Sequence, residues 1–297
     1  MTREPRVVAT YTTLPSRYEV LHMSILTLKK QTRPPDSIYV GLPKRAARLN
    51  LEYPPLPAHI AELCTVVPTE TDYGPLTKVY GALTMETDPD TIIISCDDDV
   101  FFDPTHIETM LRHHREYPKV CICGTGALIG KGVLFISIVS SIQPFHTWRA
   151  FTGFTVGKEG RNVDLIFGAA GVLYTRGMFP EKEQLHDELL NHALIDSAIF
   201  HNDDVLISGH LSKQGIERRV FLDIPSVQHA NGPDALSGDL MKMIKRMELS
   251  IERVKDHGFF TAMEPVAITE TPAGRVVIIL IVVFILLLLI LGSYKLL

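Results

Sequence analysis

The chain has 297 residues, 46% of them hydrophobic, enough for one large domain or two small ones with a real core. Its net charge of −5 and the lack of any basic block exclude the clustered Lys/Arg face of a nucleic-acid binder. Four cysteines (Cys64, Cys96, Cys121 and Cys123) fall in apolar segments and form no C-x-x-C pair, so they read as reduced, buried hydrophobes of a reducing compartment.

The N-terminal half alternates strands and helices. "RVVATYTTL" is strand-like, and "RYEVLHMSILTLKKQ" follows with Leu21, Ile25 and Leu28 on one helical face. After the turn-forming Pro34-Pro35-Asp36, "SIYVGL" reads as a second strand and "CTVVPT" as a third. "GPLTKVYGALTM" is helical, with Leu76, Val79, Tyr80 and Leu83 at i, i+3, i+4 and i+7. "TIIISC" is a fourth strand. Asp103-Pro104 is read as an N-cap followed by proline at the first helical position. That helix carries Ile107, Met110 and Leu111 and ends near Pro118, before a fifth strand at "KVCIC". This spacing predicts an α/β fold with a mostly parallel sheet, helices on both faces, and a ligand site beyond the carboxyl ends of the strands.

The C-terminal half is less regular. "PFHTWRAFTGF" is aromatic-rich and contains Trp148, the only Trp, either a sugar-facing loop or a satellite core cluster. "DLIFGAAGVLYTRGMF" mixes small and apolar residues. "HNDDVLISGHLSKQG" reads as a capped helix ending at Gly215. "RRVFLDIPSV" is strand-like, and a last helix from about Asp234 aligns Leu236, Leu240, Met243, Ile244, Met247, Ile251 and Val254.

The chemistry concentrates at the end of the fourth strand, where Asp97, Asp98 and Asp99 follow one another. Adjacent carboxylates repel unless something positive lies between them, and a hard divalent cation with oxygen ligands is the natural partner. In an extended segment Asp97 and Asp99 would face one side and Asp98 the other. "DYGPLTK" sets Asp72 and Lys78 around a turn at a helix start, where anions are favoured. Asp203 and Asp204 form a second acid pair beside His201; capping explains one of them, and a general base would use the other. His229 lies in a loop, as a metal ligand can.

Together, "ATYTTLPSRYEVLHMSILTLKKQTRPPDSIYVGLP", "TDYGPLTKVYGAL", "TIIISCDDDVFFDP", "VDLIFGAAGVLYTRGMF", "HNDDVLISGHL" and "VQHANGPDALS" resemble the metal-dependent nucleotide-sugar glycosyltransferases of the GT-A fold, in particular glycosyltransferase domains of large algal DNA viruses (chloroviruses). The resemblance covers about residues 6–240. It implies a Rossmann-like mixed sheet and a Mn²⁺ or Mg²⁺ cofactor. A UDP-sugar donor and a glycan or glycoprotein acceptor follow from it as well. It assigns donor contacts to Thr12, Thr13, Arg17, Asp72, Lys78, Asp97, Asp98 and Asp99. Metal ligation falls to Asp99, Asp97 and His229, and the base of an inverting displacement to Asp204 or Asp203. A sugar and acceptor pocket is expected around Trp148, Asp164, Gly168 and Gly171.

Two other functions remain open on the residues. A haloacid-dehalogenase-type phosphatase also uses Asp-x-Asp after a strand, but there the motif lies near the N-terminus and Lys follows it; here three strands come first, Lys78 precedes it, and Phe101 stands where a small residue is expected. A tethered, non-catalytic sugar-binding module would use the same metal site. Tethering is expected because Val276–Leu291 is an unbroken apolar run, extended by Gly292, Ser293 and Tyr294. At ~1.5 Å per residue it spans about 24 to 28 Å, close to a bilayer core. Residues 1–260 are therefore expected to form the enzyme domain, 261–275 a linker and 276–294 a transmembrane helix. With no signal peptide and no N-x-S/T site, the expectation is a single-pass tail anchor with a cytosolic catalytic domain.

Overall fold

A computed structural model describes residues 4–129, 137–140, 159–225, 227–230 and 240–260. An eight-stranded sheet is built from β1 (Val7–Thr12), β2 (Ser37–Pro43), β3 (Thr65–Thr69), β4 (Ile92–Ser95), β5 (Cys121–Cys123), β6 (Arg161–Asn162), β7 (Val172–Thr175) and β8 (Arg218–Val220). Its spatial order is β6-β8-β5-β7-β4-β1-β2-β3. β1 is parallel to β2 and β4, β2 to β3, and β8 to β5; β7 is antiparallel to β4 and β5, and β6 to β8. The expected mixed, mostly parallel α/β sheet is thus present.

Alternation along each strand sends side chains to two separate cores. Val7, Ala9 and Tyr11 of β1 enter one; Val8 enters the other. The first core takes α1 (Tyr18–Lys29) through Leu21, Ile25 and Leu28, and α4 (His106–Glu116) through Ile107 and Met110. Ile60 of the short α2 (Ala58–Ala61) joins it. The second core takes α3 (Thr77–Met85), α5 (Asp203–Lys213) and α6 (Leu240–Lys255) through Val79, Leu83, Leu206, Ile251 and Val254. Each fully buried Leu, Ile or Val contributes about 1.5–3 kcal/mol, so both helical layers are held mainly by these faces. Cys96, Cys121 and Cys123 are buried free thiols, and Cys64 is partly buried.

Four details differ from the sequence reading. The strand after "KVCIC" in sheet order comes from the second half of the chain: β7 inserts between β4 and β5, antiparallel to both. Val172, Leu173 and Tyr174 are all buried, so this segment is apolar on both faces and belongs in the sheet interior. Asp103 does not cap α4 directly. It accepts from the Thr105 N–H and hydroxyl in a local turn, and the helix begins at His106. Neither acid of "HNDD" caps α5 with its side chain. The segment "RRVFLDIPSV" leaves the sheet after Val220. The helix end at Gly215 is as expected, with φ of 70° and Ile216 N–H bonded to Leu211 O.

Trp148, the start of the last helix before Leu240, the 261–275 linker and the apolar 276–294 run lie outside the described residues. Among the described residues no helix is long and apolar enough to cross a membrane.

One glycine sets the distance between sheet and helix. A Cβ on Gly41 of β2 would come 2.5 Å from the Thr77 carbonyl oxygen at the start of α3. Gly41→Ala is expected to cost about 1–3 kcal/mol, read as an earlier urea midpoint at unchanged m-value. An unshifted midpoint would show that α3 is free to move away.

Candidate functional site

The parallel register of β1 and β4 brings Thr12 and Thr13 to the same sheet edge as Asp97, Asp98 and Asp99. The start of α3 supplies Lys78 there, and the start of α5 supplies Asp203 and Asp204. β7 runs opposite to β4, with Val172 beside Ser95, so the turn before it delivers Gly168 to the same place.

The aspartates do not alternate as an extended strand would. β4 ends at Ser95, and a turn closed by Val100 N–H to Asp97 O carries the three acids. Asp98 and Asp99 consequently share one cation, Arg17, whose Nη2 lies 2.7 Å from each. Asp98 is buried and also accepts from the Thr13 hydroxyl. Burial pushes its carboxyl up to about 7, against the opposing pull of Arg17 and Thr13.

Asp97 turns instead to Lys78. The Lys78 ammonium is 6% exposed and lies 2.7 Å from Asp203 Oδ2 as well, an ion pair without an aligned hydrogen bond. Burial alone would pull this lysine down; Asp203, Asp97 and Asp204 overcome that and hold it well above its ordinary value. For Asp97 burial works against ionisation, but Lys78, His229 and Arg17 bring its carboxyl below the ordinary value. Among the described residues Asp204 forms no ion pair, and the pull of nearby Lys78 on it is outweighed. Its Oδ1 accepts from Gly168 N–H at 3.0 Å, while burial and the neighbouring Asp203 push its carboxyl well above the ordinary range.

Gly168 is needed here for space. A Cβ would sit 3.1 Å from Lys78 Nζ and 3.3 Å from both Asp97 oxygens. Gly171, at φ of 71°, closes the same turn by donating to Gly168 O.

Other expected site residues are held elsewhere. Asp72 receives the N–H groups of Gly74 and Ala47 at 2.7 and 2.8 Å, which fixes the turn before α3 to the 44–50 segment. Burial raises its carboxyl's pKa. Thr12 donates its hydroxyl to Gly41 O. Asp164 accepts from Ile129 N–H, and burial raises its pKa too. His201 engages Ser197 O within its own turn. His229 is exposed, on a ribbon in which Gln228–His229 pairs with Val100–Phe101 and Ala230 N–H reaches Asp99 O.

Asp97, Asp99 and His229 do not converge as ready metal ligands. Among the described residues, the His/Cys/Asp/Glu group with ligand atoms within 4.8 Å of one another is Glu19, His22 and His59, away from the acid cluster. The donor set nevertheless suits a hard cation in its chemistry. Among the described residues, five clustered carboxylates face two cations, Lys78 and Arg17, and two of those carboxyls are pushed toward the protonated form.

The sequence reading missed Tyr53, whose hydroxyl donates to Thr13 O at 2.9 Å beside the cluster. Its Pro-rich setting offers no periodicity that would have singled it out. The sequence reading also passed over Glu19 and His22, although the Glu-x-x-His spacing on α1 is a metal-ligand signal it could have used.

Comparison with known protein families finds no matching family model, and a search of curated proteins finds no match to the chain.

Proposed function

We propose that this chain is a metal-dependent, inverting glycosyltransferase of the GT-A type, moving a sugar from a nucleotide-sugar donor, in the first instance a UDP-sugar, to a hydroxyl acceptor on a glycan or glycoprotein. The observation that carries this reading is the excess of acid at the carboxyl edge of the parallel strands: Asp97, Asp98, Asp99, Asp203 and Asp204 around Lys78 and Arg17, next to the close-approach turn at Gly168. Such an edge is where open α/β sheets bind ligands, and uncompensated carboxylates there favour a divalent cation.

In this reading Asp99, Asp97 and His229 would hold Mn²⁺ or Mg²⁺, which when bound offsets charge on the diphosphate leaving group. Lys78 and Arg17 supply the cationic side of the donor site, Lys78 paired with Asp97 and Arg17 with Asp98 and Asp99. Asp203 is committed to Lys78, so Asp204 is the carboxylate left to take the proton from the acceptor hydroxyl. The apolar run Val276–Leu291 would tether the domain to a membrane.

The test is a screen of the full chain against UDP-, GDP- and dTDP-sugars with Mn²⁺ or Mg²⁺, with and without EDTA. Release of one nucleotide class that needs metal, and falls at least about tenfold in Asp99→Ala, is expected. Hydrolysis of simple phosphate esters with no nucleotide-sugar binding would replace this reading with a phosphatase. Donor binding without turnover on any acceptor would leave a sugar-binding module.

A further inference from the structure

A second cluster of metal-ligating side chains lies outside the acid site. Glu19 and His22 sit one turn apart on α1, and His59 comes from α2. His59 Nε2 is 3.4 Å from Glu19 Oε1, and His22 Nδ1 is 4.0 Å from Glu19 Oε2. The two imidazole rings meet edge to face with centroids 4.8 Å apart. All three ligand atoms fall within 4.8 Å of one another.

We propose that Glu19, His22 and His59 form a binding site for a divalent transition ion of the zinc class. Two imidazoles and a carboxylate are borderline donors that suit Zn²⁺ better than Mg²⁺ or Ca²⁺. Ligand atoms around tetrahedral zinc lie about 3.3 Å apart. The Glu19–His59 separation already matches, and the exposed Glu19 side chain has room to shorten its 4.0 Å separation from His22. Exposed ion pairs contribute only about 0–1 kcal/mol. That is little to gather three side chains from two separate helices. Three protein ligands leave a fourth position for water.

The site has a structural consequence. The segment leading into α2 is already fastened near α1 at two points: Tyr18 donates to Pro54 O, and Tyr53 donates to Thr13 O. A metal between His59 and α1 adds a third, on the helix that directly follows Arg17, the partner of Asp98 and Asp99. The proposed ion is independent of the proposed sugar transfer and of any cation at Asp97 and Asp99.

Calorimetric titration of the full chain with ZnCl2 tests it. Wild type and Asp99→Asn should each take up one Zn²⁺ per chain at this site, with a Tm raised by saturating metal. In His22→Ala and in His59→Ala that affinity should fall at least about tenfold, the cost of even an outer-shell substitution in metal sites. These side chains are partly exposed, so both variants should fold; should one fail, Glu19→Gln replaces it. Zinc uptake unchanged in the folded variants, no uptake by wild type, or loss confined to Asp99→Asn would each overturn the site.

Discussion

Lys78→Met is expected to lose about 3–5 kcal/mol of stability, the cost of removing one partner from a buried charge pair. At ~2–4 °C per kcal/mol for a domain of this size, Tm should drop by about 6–20 °C. The volume is nearly conserved, so the loss is electrostatic. Asp97 and Asp203 would keep their place on either side of an uncharged thioether, and Asp204 would face both. The double variant Lys78→Met/Asp203→Asn should recover part of the loss by removing the better-buried carboxylate. If the single variant melts within 2–3 °C of wild type, the lysine is not the counter-charge of this cluster. The deficit should also narrow in acid. Asp97 owes its lowered carboxyl to Lys78, so the stability it contributes is present above about pH 3.9 and is lost as pH falls through the lower folded value.

The same residues show what a sequence can and cannot reveal. β1, β2 and β4 are short apolar runs bounded by Pro, Asp or Thr, and their identity is local. The helical faces of α1 and α3 are equally local, because period alone fixes which residues are buried. Sheet order is not local. Nothing in "GVLYT" says that it enters between β4 and β5; that depends on partners far along the chain. The site divides the same way. The edge location of Asp97–Asp99 was legible, since parallel sheets expose ligands at strand ends. The sharing of Arg17 by Asp98 and Asp99 was not, because it arises from the turn at Asp97–Val100 that replaces an extended strand. Lys78 was marked by its place at a helix start, but its ties to both Asp97 and Asp203 require the fold to bring three elements together. Asp72 stood out for the same local reason, and the structure commits both its oxygens to backbone N–H groups.

Asp204→Asn should separate chemistry from binding. Asn retains an oxygen for the Gly168 N–H, so the turn and the donor site are expected to survive, with donor Kd unchanged within about threefold and transfer lowered by ~10²–10⁴. Stability gives an independent check with a definite sign. The Asp204 carboxyl is raised in the folded state, so it stays protonated there to higher pH than in the unfolded chain. The wild type therefore loses stability as pH rises from about 3.9 through the raised folded value. Asn mimics the protonated form and escapes that loss, so above neutrality the variant should melt at or above the wild-type temperature. If Asp204 is the base of the proposed transfer, the same elevation would place the acidic limb of the transfer rate above the ordinary carboxylate range. A variant that is inactive, binds donor and is no less stable leaves proton removal as the function of Asp204. If Asp203→Asn abolishes transfer while Asp204→Asn leaves it intact, the base is Asp203, and Lys78 must release it when the donor binds.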